Sequence, residues 1–222
     1  MNPNSLSRRI WHRLGLWFFG LLFVFGNSFR TFGKHRVPKT GPFLIIANHE
    51  SYWDPPIVGI TVDRRVTYMA RKTLFTSKIG GYLLRVQGAF PVDQEGSGLD
   101  GIKMALQLLD KGEGVIVFPE GTRTPDGTMK EFMAGIVLLI RRAKAPVLPV
   151  GVAGTFEAWP CHEDRPKWSP LLIKANKATV CCYIGDVIPP EKVLGMKPAD
   201  MLKYLYDEVD KVRTEAYARK RK

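Results

Sequence analysis

The chain has 222 residues, 45% of them hydrophobic and 24% charged, the proportions of a packed protein rather than a disordered one. One hydrophobic core serves this length, which excludes a multidomain assembly. The formal net charge of +12, from 33 Lys/Arg against 21 Asp/Glu, calls for an anionic partner, either nucleic acid or a lipid surface.

The position of the charge separates those two partners. Residues 1–49 hold Arg8, Arg9, Arg13, Arg30, Lys34, Arg36 and Lys39, and no carboxylate precedes Glu50. Residues 211–222 hold Lys211, Arg213, Arg219, Lys220, Arg221 and Lys222 against Glu215 alone, and the stretch between is balanced. A nucleic-acid binder spreads a basic stripe over its folded body, whereas basic ends beside an apolar run suit a membrane surface, so no nucleic-acid partner is expected.

The apolar run is Leu14–Phe29, free of ionisable side chains between Arg13 and Arg30. As a helix it extends about 24 Å, short of the roughly 30 Å hydrocarbon core. Cations on both flanks also remove the asymmetry that orients a spanning helix. The expectation is a basic, apolar membrane anchor over residues 1–36, lying in one leaflet with Lys/Arg at headgroup level, followed by a domain over 37–222 with a basic C-terminal tail. A secretory signal and a buried core helix are the alternatives. Asn27-Ser28-Phe29-Arg30 offers no small-x-small cleavage site. Trp17, Phe18, Phe19, Phe23, Phe25 and Phe29 are also many aromatic rings to bury in a small domain.

Short apolar runs predict strands at 42–47, 66–70, 89–92, 114–118, 147–152 and 179–184. Leu99, Ile102, Ala105, Leu106 and Leu109 recur at helical spacing within 98–111, and Phe132, Ile136, Leu139 and Ile140 do so in a following helix. A last helix over about 198–218 places Leu202, Leu205, Val209 and Val212 on one face. Strands alternating with helices define an α/β single domain with a largely parallel central sheet flanked by helices. Cys161, Cys181 and Cys182 are odd in number and two are adjacent, which suits reduced core residues on the cytoplasmic side better than a disulfide framework. His162-Glu163-Asp164 reads as a solvated loop rather than a metal cluster, so no metal is expected.

The chemistry-bearing residues follow two of the predicted strands. After 42–47 comes Asn48-His49-Glu50-Ser51-Tyr52-Trp53-Asp54-Pro55. Asp54 before Pro55 reads as an N-cap of a helix running to about Thr61. His49 then sits at a strand's carboxyl end, where α/β sheets bind ligands, and Asp54 lies one turn away. A carboxylate on the imidazole fixes its tautomer and balances the imidazolium, which makes the pair a general base for a hydroxyl. On these residues alone, a histidine and a capping aspartate with separate structural jobs remain the alternative. After 114–118 comes Pro119-Glu120-Gly121-Thr122-Arg123, whose guanidinium suits a phosphate and whose glycine allows close backbone approach. Glu120 is expected either to hold Arg123 or to accept a hydrogen bond from a substrate hydroxyl. A turn with a solvated ion pair is the bland reading of the same residues.

Together the two clusters resemble the glycerophospholipid acyltransferase family, specifically the 1-acyl-glycerol-3-phosphate (lysophosphatidic acid) acyltransferases. His49-x4-Asp54 matches one block of that family and Phe118-Pro-Glu-Gly-Thr-Arg123 another. Weaker blocks are Gly88-Ala-Phe-Pro-Val-Asp93 and Val147-Leu-Pro-Val-Gly151, so the likeness runs in order over about 42–154. Two family cations differ: Gln94 stands where an arginine is common, and Phe132-Met-Ala-Gly135 replaces Phe-Lys-x-Gly, with Lys130 nearby.

The resemblance implies an O-acyltransferase without a cofactor. His49 and Asp54 are then catalytic, and Glu120, Gly121, Thr122 and Arg123 bind the acceptor, with Arg123 and the Gly121 backbone on its phosphate. The partners implied are an acyl-CoA or acyl-acyl carrier protein donor, a lysophospholipid acceptor and an anionic membrane at the cytoplasmic face. The alternatives are a different lysolipid acceptor, whether another lysophospholipid or a lyso-aminolipid, a thioester hydrolase, and a non-catalytic membrane-binding protein. No Gly-x-Ser-x-Gly elbow or phosphate-cradling Gly-rich loop points to nucleophilic or nucleotide chemistry.

Overall fold

The computed structural model describes residues 6–62, 64–77, 81–82, 84–85, 88–92 and 99–222, with the backbone alone over 6–13. Asp93, Gln94 and the side chains of Arg8, Arg9 and Arg13 therefore lie outside the description.

Helix α1 (Leu6–Asn27) leads into strand β1 (Arg30–Phe32), β2 (Phe43–Ala47), α2 (Asp54–Thr61), β3 (Val66–Arg71) and β4 (Ala89–Val92). The chain continues through α3 (Leu99–Asp110), β5 (Gly114–Val117), α4 (Gly135–Ala143), β6 (Val147–Ala153), α5 (Thr155–Ala158), β7 (Cys181–Ile184), α6 (Pro190–Leu194) and α7 (Pro198–Arg219). The seven strands form one sheet in the order β1-β7-β6-β2-β5-β3-β4. Every neighbouring pair is parallel except β6 with β7. This is the expected α/β architecture, with β1 as an addition: three residues with one half-buried position carry too little apolar pattern to announce a strand.

β2 and β6 are buried along their whole length, as central strands covered on both faces must be. Alternation divides their side chains between two apolar layers. Phe43, Ile45, Leu148 and Val150 share one with Phe23, Trp53, Ile57 and Cys182, under α1 and α2. Leu44, Ile46 and Val147 share the other with Leu109, Ile136, Ile140, Met201, Leu205 and Val209 of α3, α4 and α7.

The N-terminal segment is joined to this body. Phe23 and Phe29 lie in the first layer, and β1 pairs with β7. α1 carries two stripes. Phe19, Phe23, Val24 and Asn27 face inward, while Leu14, Trp17, Phe18, Leu21, Leu22 and Phe25 face solvent at i, i+3, i+4 spacing, with Trp17 73% and Phe18 65% exposed. Among the described residues no helix is long and apolar enough to cross a membrane.

Cys181 and Cys182 are buried on β7, and Cys161 is half-buried in the loop after α5; all three are free thiols. Burial pushes the Cys182 thiol up to about 12. In the 161–167 loop, His162 lies edge-on to Phe156 and Glu163 pairs with Lys167 at 2.7 Å. The basic C-terminal end is folded back: Arg221 donates to Ser28 Oγ at 3.0 Å, Pro170 O at 3.1 Å and Ile173 O at 2.7 Å.

Candidate active site

Three adjacent parallel strands, β6, β2 and β5, end on the same edge of the sheet, and the loops that leave them build the site. Asn48 extends the ladder past the end of β2. Its side-chain amide donates to Val152 O (2.9 Å) and accepts from Val152 N (2.8 Å), as a strand residue would. That fixes where the chain turns and where His49 emerges.

His49 Nδ1 lies 2.8 Å from Asp54 Oδ2, and Asp54 is wholly buried. The same oxygen accepts from the backbone N–H of Glu50 (2.6 Å) and Ser51 (2.7 Å), while Oδ1 has no partner among the described residues. Asp54 is therefore the first residue of α2 rather than its N-cap: its carboxylate turns back onto the preceding loop instead of capping forward. A carboxylate on Nδ1 holds the proton on that nitrogen and leaves the Nε2 lone pair free, so this ring can take a proton at Nε2. Phe118 stacks on the imidazole, with centroids 4.2 Å apart and planes at 21°, and fixes its plane. Ser51 is spent structurally, donating from Oγ to Trp159 O at 2.7 Å.

The second loop differs from expectation at Glu120. This carboxylate pairs with backbone rather than with Arg123: Oε1 accepts from His49 N (2.6 Å) and Oε2 from Lys130 N (2.8 Å). It straps the two loops together, and burial raises its pKa while those two backbone bonds pull it down. Thr124 N adds a second strap, donating to His49 O at 2.9 Å.

Gly121 takes φ +72° with Met133 against its α-carbon, and its N–H donates to Phe118 O at 3.0 Å. Arg123 lies with its guanidinium carbon 3.4 Å from the centroid of Tyr52, and its Nη1 is buried without a hydrogen-bond partner among the described residues. A desolvated, unpaired N–H of this kind is a strong donor for an anionic group. Thr122 is exposed and accepts from Lys130 Nζ at 3.1 Å. Lys130 thus brings a second cation to the loop, while Met133, at the position of the family's lysine, packs on Gly121.

Sequence reasoning did not single out Glu50 or Arg213. Glu50 is 1% exposed and is held by Asn48 Nδ2 (3.0 Å), Arg213 Nε (3.0 Å) and the Tyr217 hydroxyl (3.2 Å to Oε2). A carboxylate beside His49 was visible in the sequence, but two of its partners, Arg213 and Tyr217, lie more than 160 residues away.

The site thus sets a His–Asp pair at one strand end and, at the next, a guanidinium whose buried Nη1 has no partner among the described residues, at the sheet edge where α/β proteins bind ligands. A family model described as Acyltransferase matches residues 28–153, and the chain belongs to that family. The 1-acyl-sn-glycerol-3-phosphate acyltransferase of Bacillus subtilis is 35% identical over 127 residues, covering 56% of this chain and 62% of that protein. The Streptococcus pneumoniae protein of the same name is 32% identical over 114 residues, covering 50% and 42%. The alpha form from Bos taurus is 27% identical over 183 residues, covering 81% and 59%. The chain thus spans less than two thirds of the length of each of these relatives. The crystal structure of the 1-acyl-sn-glycerophosphate (LPA) acyltransferase PlsC from Thermotoga maritima shares the fold, with a TM-score of 0.75 at 24% identity over 97% of this chain and 81% of that one.

Proposed function

We propose that the protein transfers a fatty acyl group from a thioester, acyl-CoA or acyl-acyl carrier protein, to the free hydroxyl of 1-acyl-glycerol-3-phosphate, giving phosphatidic acid. The observation that carries the reading is the His49 ring, tied at Nδ1 to buried Asp54 and standing in a loop strapped to the one that bears the unpaired Arg123 Nη1. The names of the relatives supply the acceptor.

His49 Nε2 takes the hydroxyl proton as the oxygen attacks the thioester carbonyl. The tetrahedral intermediate collapses, the carbon–sulfur bond breaks, and the departing thiolate takes the proton back from the imidazolium. Asp54 balances the positive charge in between. Arg123 holds the acceptor's phosphate, with Lys130 alongside. General-base assistance contributes roughly 10²–10⁴ in rate, and positioning adds to it.

The test offers the purified protein a panel of lysolipids with both donor types and identifies products by mass. Phosphatidic acid is expected, and its loss in His49→Ala by at least about 10²-fold. Free fatty acid as the sole product would make the protein a hydrolase, and acylation of another lysolipid alone would move the headgroup.

We further propose that the protein works on an anionic membrane at the cytoplasmic face, where three free thiols stay reduced. The outward stripe of α1 adjoins exposed Leu172 and Ile173, because Leu171 N donates to Phe25 O at 3.0 Å. Arg221 binds the same loop and places a cation at its rim. Apolar side chains bordered by cations fit a headgroup boundary.

A further inference from the structure

We propose that Arg213, on the C-terminal helix, is a positioning residue for the acyl transfer, acting with Glu50 to hold the His49 loop against the Arg123 loop. One guanidinium reaches both loops. Its Nε donates to Glu50 Oε1 at 3.0 Å and its Nη2 to Gly127 O at 2.7 Å.

Glu50 connects that grip to the dyad. Its backbone N–H donates to Asp54 Oδ2, the oxygen that also holds the His49 ring. Gly127 connects it to the second loop, since its N–H donates to Thr124 Oγ1 at 3.1 Å and Thr124 N binds His49 O. The Tyr217 hydroxyl, one helical turn beyond Arg213, completes the clamp on the Glu50 carboxylate at 3.2–3.3 Å.

The remaining neighbours leave this role to Arg213. Asp210 lies 3.7 Å from its Nη1 and is half-exposed, so it draws the guanidinium weakly. Thr155 stands 3.5 Å from Glu50 Oε2, and Glu157, on the same short helix, opposes ionisation of Glu50 and takes Lys220 as its own partner at 3.5 Å. Without Arg213 the buried carboxylate has no cation hydrogen-bonded to it among the described residues, and the backbone N–H that aligns Asp54 loses its anchor. Arg213 itself makes no hydrogen bond or ion pair with His49 or Asp54, so its action runs through Glu50.

The inference rests on the acyl-transfer reading, and the experiment separates the two. Arg213→Gln, Arg213→Lys, Glu50→Gln and the Glu50→Gln/Arg213→Gln double variant are assayed beside the wild type, with rates referred to the folded fraction read by circular dichroism. Arg213→Gln is expected to lower kcat roughly ten- to a hundredfold, with KM for donor and acceptor moving less than about threefold. Arg213→Lys recovers part of the loss, because an ammonium can pair with Glu50 without spanning to Gly127. The double variant is expected to cost no more than the larger single one. A folded Arg213→Gln protein with kcat within about twofold of wild type, or fully additive losses, overturns the proposal. If Arg213→Gln does not fold, the shape-conserving Glu50→Gln decides by the same kcat criterion. Absence of transfer by the wild type would defeat the acyl-transfer reading instead. The imidazole N–H resonance of His49 then decides positioning without substrate: in Arg213→Gln it is expected to move toward its value in Asp54→Asn, and an unmoved resonance overturns the proposal.

Discussion

Glu50 occupies a position that few carboxylates tolerate, 1% exposed, four residues from Asp54 and within electrostatic reach of Glu157. Burial, with Asp54 and Glu157 adding to it, pushes its carboxyl from the ordinary 4.5 up to about 7, while Arg213 pulls the other way. Between those two values the folded protein binds a proton that the unfolded chain has already released. Stability supplied by the neutral carboxyl is therefore complete below about 4.5 and is lost as pH rises through 7. Urea titrations at pH 5 and pH 8 should show the wild type losing on the order of 2–3 kcal/mol more across that interval than Glu50→Gln. Parallel losses in the two proteins would show that another group carries the dependence. At this scale the sequence was partly readable. His49, Asp54 and Arg123 stand in short fixed spacings whose chemistry is local. The strap made by Glu120 and the grip on Glu50 depend on partners that only the folded chain brings near.

Among the elements, the C-terminal helix α7 carries Arg213 to the site, and Gly151 of β6 decides how closely α7 packs. A methyl group at Gly151 would run into the main chain of Val212 and Arg213. That contact gives a physical reason for the glycine ending the Val147–Gly151 block, which the sequence offered only as a family likeness. Gly151→Ala should cost about 1–3 kcal/mol or more in urea, as overpacking against rigid backbone does. It should also lower kcat by shifting Arg213 from Glu50, and an alanine variant of wild-type stability would show that the helix yields freely. The longer elements were legible from their periodicity, with α2 ending at Thr61 and the buried strands within a residue or two of their observed bounds. β1 was not legible, and the helix predicted around Phe132 begins only at Gly135, because Phe132 and Met133 belong to the loop that packs on Gly121.

For the molecule as a whole, α1 answers a question that composition could not. A buried core helix and a surface anchor were rival readings of one apolar run. The geometry gives the helix two apolar faces, one in the core and one open to solvent. Hydrophobicity alone cannot reveal this, since both stripes score alike and only the packing partners, Trp53 and Phe29 against Phe23, mark the inner one. The two faces are separable by mutation, whereas deletion of the segment removes both. Phe23→Ala should cost about 3–5 kcal/mol of stability, the price of an aromatic cavity in a packed layer. Trp17→Ser, Phe18→Ser and Phe25→Ser combined should leave the urea midpoint close to wild type, because those rings already face water. The same triple variant should stay in the supernatant when spun with vesicles containing anionic phospholipid, while wild type pellets and is released in part by salt, which screens the Arg221 rim. A triple variant that still pellets fully would mean that the lipid contact lies elsewhere on the surface. In that case the exposed stripe of α1 would need another apolar partner, because six neighbouring large side chains on one helix face are more than a water-facing surface ordinarily leaves open.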